Sequence, residues 1–110
     1  MTEVLIRTVP ATVYVIVACD GEYSGKSWDP VLVVANPIVA QRIYERAIGI
    51  LKEYEDAARS TWASSHYKDP RGWYGVRAAT RPKYDAMIAG MGLGSFLADD
   101  YEMHAVEYLP

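Results

Sequence analysis

The chain has 110 residues, 51% of them apolar and 23% charged, with a net charge of −3. That length and composition fit a single folded domain over residues 1–110 and exclude wholesale disorder. The small negative charge is too mild for a nucleic-acid mimic and has the wrong sign for a uniformly basic nucleic-acid coat, so any electrostatic role must be local.

The single cysteine, Cys19, rules out an intrachain disulfide and a cysteine-built zinc cage. No apolar run approaches the ~18 residues needed to span a bilayer, so no membrane role is expected. The stretch Ile16-Val17-Ala18-Cys19 has the form of a lipoprotein cleavage box. Pro10, Thr12 and Tyr14 interrupt the apolar region such a signal needs, and the stretch fits a buried strand ending in a cysteine better.

In chain order, residues 4–9 offer an edge strand that Pro10 bends away. Residues 12–18 (TVYVIVA) are apolar on both alternating faces and β-branched, as a central strand is, and residues 31–35 (VLVVA) repeat the pattern. Asp20, Gly21, Ser24, Gly25, Asp29 and Pro30 lie between them, a density of turn formers that makes an antiparallel hairpin with a long loop. Within that loop, Gly21-Glu-Tyr-Ser-Gly-Lys-Ser27 approaches a phosphate-binding loop. Such a loop needs four residues before Gly-Lys-Ser, and a helix starting at the lysine whose free amides face the anion. Here there are three residues and then a strand, so nucleotide hydrolysis is not expected.

Asn36-Pro37 supplies a helix cap and a first-turn proline. Ala40, Ile43, Tyr44, Ala47, Leu51, Tyr54 and Ala58 then line one helical face, which must lie on the sheet, with Glu53 and Asp56 opposite. Lys52/Asp56 and Glu55/Arg59 are spaced as solvated ion pairs. Residues 60–79 carry no sustained period and predict an irregular excursion, followed by a short helix over 82–89 that Gly90 ends. The glycine-rich stretch 90–95 is a helix stop and connector, and residues 101–109 form a half-buried strand. The expected fold is α+β: a small, mainly antiparallel twisted sheet of three to four strands, one long helix across it and a second short helix.

Val13-Tyr14-Val15-Ile16-Val17, Gly21-Glu22-Tyr23-Ser24, the second aliphatic strand, the helix and the ending over 101–107 together resemble a class of short bacteriophage accessory proteins. The likeness covers the two ends of the chain. It implies a phage setting, hence the cytoplasm of a bacterial host, and no particular reaction.

No catalytic constellation emerges. Asp99, Asp100, Glu102 and His104 fit acidic turn residues and a polar strand face better than a metal site. Ser65-His66 lacks an orienting acid, and no cofactor is expected. What stands out is residues 66–84, where five cations meet one anion for a local +4 and leave −7 on the rest. Tyr67, Lys68, Arg71, Trp73, Tyr74, Arg77, Arg81 and Lys83 are the candidate binding residues. Interleaved aromatics and cations either contact a partner or roof the core while pairing with the acidic helix. The expectation is a non-enzymatic protein that binds and inhibits a host macromolecule, most simply a host protein of a defence system in the manner of an anti-CRISPR. The alternative is a small nucleotide- or RNA-binding module using the same segment.

Overall fold

A computed structural model describes residues 11–21 and 23–108. The strand expected over residues 4–9 and the bend at Pro10 fall outside that span. The fold is α+β: an antiparallel sheet of three strands, with the first strand in sequence at its centre, and two helices.

Strand β1 (Ala11–Asp20) occupies the centre, as its two-sided apolar pattern requires. Gly21 turns the chain at φ +86°, a conformation and a closeness only glycine permits, since a Cβ there would lie 2.5 Å from the Gly25 carbonyl oxygen. A 3-10 turn (Tyr23–Gly25) leads into β2 (Ser27–Val34), which pairs back onto β1. This strand begins four residues earlier than the aliphatic run suggests and holds Asp29 and Pro30 inside it. Proline is tolerated because β2 is an edge strand, and the register slips between Ile16 and Val17 so that Val31 becomes the extra residue of a bulge. Strand β3 (Asp100–Tyr108) pairs with the other side of β1.

Helix α1 (Pro37–Ser64) starts as its cap predicts: the Asn36 side-chain oxygen accepts the amides of Ile38 and Val39 at 2.9 and 3.1 Å. Its buried positions are Ala40, Ala47, Ile50, Tyr54 and Ala58, while Ile43, Tyr44 and Leu51 are half-buried at the rim. The Glu55–Arg59 pair forms at 3.4 Å, whereas Lys52 and Asp56 make no ion pair with each other among the described residues.

The second helix corrects the sequence reading. Residues 60–79 are not an irregular excursion: α1 continues to Ser64, and α2 runs over Gly72–Gly90 with Pro82 in its interior. The missing amide of Pro82 does not stop the helix, because Val76, Tyr84 and Ile88 bury one side of it. It ends as expected at Gly90: Leu93 donates to the Ile88 carbonyl and Gly92, at φ +74°, to that of Ala89.

Both helices and β3 close one core. Ile16 and Ala18 of β1, Ala47, Ile50 and Tyr54 of α1, Tyr84 and Ile88 of α2, and Leu93, Leu97 and Tyr101 form a single buried cluster. Tyr54 meets Tyr84 edge-on at 5.8 Å. Alternation turns Val17 and Cys19 to the opposite face of the sheet, yet they are also buried. Trp28 and Glu102, from the two flanking strands, lean across β1 and meet above it, the indole donating to the carboxylate at 3.2 Å. Among the described residues no helix is long and apolar enough to cross a membrane.

The α1–α2 turn holds two non-glycine residues in the left-handed region, His66 at φ 55° and Tyr67 at φ 62°. A side chain there costs about 1–2 kcal/mol relative to a right-handed conformation. His66 is exposed, so His66→Gly removes little but strain. It is expected to stabilise the fold by up to about 1 kcal/mol, read as a higher urea midpoint. An unchanged or lower midpoint would show that the strain at φ 55° is no larger than the cost of glycine's greater freedom in the unfolded chain.

Candidate partner-binding site at the helical hairpin

Three aromatic rings gather where the two helices turn. Trp62 lies in the last turns of α1, Tyr67 in the connection and Trp73 in the first turn of α2. The left-handed pair reverses the chain so that the Tyr67 amide donates to the Trp62 carbonyl at 3.1 Å and the two rings meet edge-on at 6.2 Å. Trp73 approaches Trp62 from the other helix at 6.2 Å. With Arg59 and Ala63 these rings line an open, mainly apolar cleft of about 520 Å³.

The turn is built by charge as well as by stacking. The Asp69 carboxylate accepts the backbone amide of Arg71 at 2.9 Å and grips its guanidinium at 3.0 and 2.9 Å. Those bonds hold the Asp69 carboxyl down at about 2, so the pair is charged throughout the neutral range. The Arg77 guanidinium lies 5.6 Å from the Trp73 ring centroid and 5.7 Å from that of Tyr54, backing the cleft with a cation. Its Nε donates to the Tyr54 hydroxyl at 3.2 Å, and its Nη2 lies 3.7 Å from Glu55. These contacts hold Arg77 still more firmly protonated.

The structure divides the eight expected binding residues. Tyr67 and Trp73 share the cleft, and Arg77 stacks behind it. Tyr67 and Tyr74 are 66% and 83% exposed, so both present aromatic area to solvent. Lys68 and Arg71 lie in the turn and at the start of α2, both exposed. Arg81 is committed elsewhere, to Asp85 at 3.3 Å and to the Leu97 carbonyl. Lys83 lies over the Tyr84 ring, at 5.4 Å.

Sequence reasoning missed Arg59, Trp62 and Ala63. Their i, i+3, i+4 spacing puts them on one helical face, a signal that is visible once the helix is allowed to run to Ser64.

The other motifs settle as parts of the scaffold. Lys26 precedes β2 instead of opening a helix, and its ammonium lies 5.3 Å from the Trp28 ring. Asp99 accepts the Gly21 amide at 2.9 Å and Asp100 that of Tyr101 at 2.8 Å. Glu102 accepts the Cys19 thiol proton at 3.0 Å and lies 3.3 Å from His104. Burial, reinforced by that carboxylate, pushes the Cys19 thiol up to about 11, the reverse of what a nucleophilic cysteine needs. Among the described residues no three His, Cys, Asp or Glu side chains gather as a metal site would require. Comparison with known proteins finds no matching family model, no matching curated protein and no matching solved structure.

Proposed function

We propose that this protein is a non-enzymatic accessory protein of the phage type that binds a host protein through the tip of its helical hairpin and blocks it, a bacterial defence complex being the class of target. The observation that carries the reading is the aromatic cleft of Trp62, Tyr67 and Trp73, rimmed by Arg59. Tryptophan, tyrosine and arginine around an open apolar hollow are the residue types that dominate protein-interface energetics. Blocking a target needs only a complementary surface of about 800 Å² per partner. The phage setting rests on the resemblance of residues 13–17, 21–24 and 101–107 described above.

Charge pairing favours a protein partner over a nucleic acid. Of the five cations in residues 66–84, Arg71, Arg77 and Arg81 face Asp69, Glu55 and Asp85 of the same chain. Arginines balanced by carboxylates of the same chain add little net positive charge to draw a polyanion, whereas a stacked aromatic hollow needs an apolar anchor from its partner.

The test is retention of a host polypeptide from bacterial lysate by the intact protein and by Tyr67→Ala, with thermal melts of both. Tyr67 is mostly exposed. Its removal is therefore expected to leave the melt nearly unchanged and to weaken binding by about 2 kcal/mol, or roughly 30-fold. Retained material that is ribonuclease-sensitive and lost steeply with salt would overturn the protein-partner reading in favour of RNA. Retention unaffected by Tyr67→Ala would remove the cleft from the interface.

A further inference from the structure

A second cavity, of about 240 Å³, opens where the middles of α1 and α2 meet the segment before β3. It shares no lining residue with the cleft at the hairpin tip. Its volume lies below the ~300 Å³ at which pockets for drug-sized ligands begin, which limits an occupant to a small metabolite.

Arg77 and Arg81, one helical turn apart on α2, both line it, and each is held from one side by its own protein. Arg77 is fixed through Nε to the Tyr54 hydroxyl and leans through Nη2 towards Glu55. Arg81 is fixed through Nε to Asp85 and through Nη2 to the Leu97 carbonyl. Among the described residues, neither Nη1 has a hydrogen-bond acceptor. Two anchored guanidinium groups, each with a free edge and a side chain one-third exposed, form a preorganised receptor for a carboxylate.

The same cavity is also lined by Glu55 and Asp99. Asp99 is held in place twice over: its carboxylate accepts the Gly21 amide, and its own amide donates to Asp20. Two cations and two anions face one small space, so its charge balances. A phosphate or another dianion would meet both carboxylates and be repelled, and a simple amine would meet both guanidinium groups. A molecule carrying both signs satisfies both walls. The rest of the lining is Gly21, the Tyr54 ring that carries the hydroxyl bonded to Arg77, and the aliphatic side chains of Leu51, Leu97 and Ala98.

We infer that this cavity binds a free α-amino acid with an aliphatic side chain, its carboxylate on the free edges of Arg77 and Arg81, its ammonium on Glu55 and Asp99, and its side chain against Leu51 and Leu97.

The test is calorimetric titration of the full chain with L-leucine, with 4-methylpentanoate, which lacks the amine, and with 3-methylbutylamine, which lacks the carboxylate. Leucine is expected to bind at least about tenfold more tightly than either, since each truncation forfeits one charge-assisted contact. Asp99→Asn keeps an acceptor for the Gly21 amide and removes one charge. It should weaken leucine about tenfold while leaving 4-methylpentanoate no weaker. Amide spectra recorded during the titration should shift at Ala98 and Asp99. Equal or tighter binding of 4-methylpentanoate would make this a plain anion site and overturn the inference. No saturation by leucine at about 10 mM would overturn it too, as would shifts confined to Trp62 and Trp73.

Discussion

Ile50→Asp is expected to unfold the protein at room temperature. Ile50 is 1% exposed, in the cluster where α1 meets the sheet and α2. A carboxylate there loses the transfer energy of the isoleucine side chain, leaves a misfit in a close-packed core, and is cut off from water with no cation supplied. Either it stays charged at a cost of several kcal/mol, or it takes up a proton at a cost that grows with pH. Domains of this size hold about 5–15 kcal/mol in all, so the substitution consumes most or all of it. Three positions on, Glu53→Ala removes only an exposed 3.5 Å pair with Arg46 and should cost well under 1 kcal/mol. Circular dichroism with urea titration distinguishes them. Similar midpoints would mean that the buried face of α1 is misassigned.

Tyr101→Ala should give the next largest loss, about 3–5 kcal/mol. Tyr101 is 1% exposed on β3, and its hydroxyl accepts the amide of Ala98 at 2.8 Å. Burial holds that phenol above its usual range and hence neutral. Tyr101→Phe separates the ring from the hydroxyl. It keeps the packing but leaves the Ala98 amide, in a residue 4% exposed, without its acceptor, for a loss of about 1–3 kcal/mol. Equal losses in the two variants would place the whole contribution in the hydrogen bond and none in the ring.

The start of α1 and the pairing of β1 with β2 were legible because each is dictated locally. Asn36-Pro37 caps a helix whatever follows, and two β-branched runs flanking a cluster of turn formers have few other arrangements. Ile50 escaped the periodic reading for a geometric reason. It lies on the flank of the stripe of Ala40, Ala47 and Tyr54 opposite to Leu51, and α2 supplies a second surface that widens the buried stripe on one flank, leaving Leu51 half-buried on the other. Helix α2 itself was hidden because its inward side includes Arg77, Thr80 and Arg81, whose aliphatic stems and backbone-directed hydroxyl pack where a hydropathy pattern expects leucines. Pro82 then mimicked a helix start. The aromatic cleft depends on that missed helix, so Tyr67 and Trp73 could be named as candidates while Trp62, their common neighbour, could not.

The placement of β1 between an early and a late partner sets the order in which the chain can assemble. Its hairpin with β2 is local, but Ile16 and Ala18 face a space that Tyr101, Leu97 and both helices must fill. On a ribosome adding about 5–20 residues per second, several seconds pass between the emergence of Asp20 and that of β3. Throughout that interval one edge of β1 is unpaired and its apolar inner face is uncovered, the condition under which nascent sheets aggregate or recruit chaperones. The antiparallel return of α2 along α1 shortens the gap that β3 must then close, so the helical hairpin is the element that makes such a non-local sheet reachable.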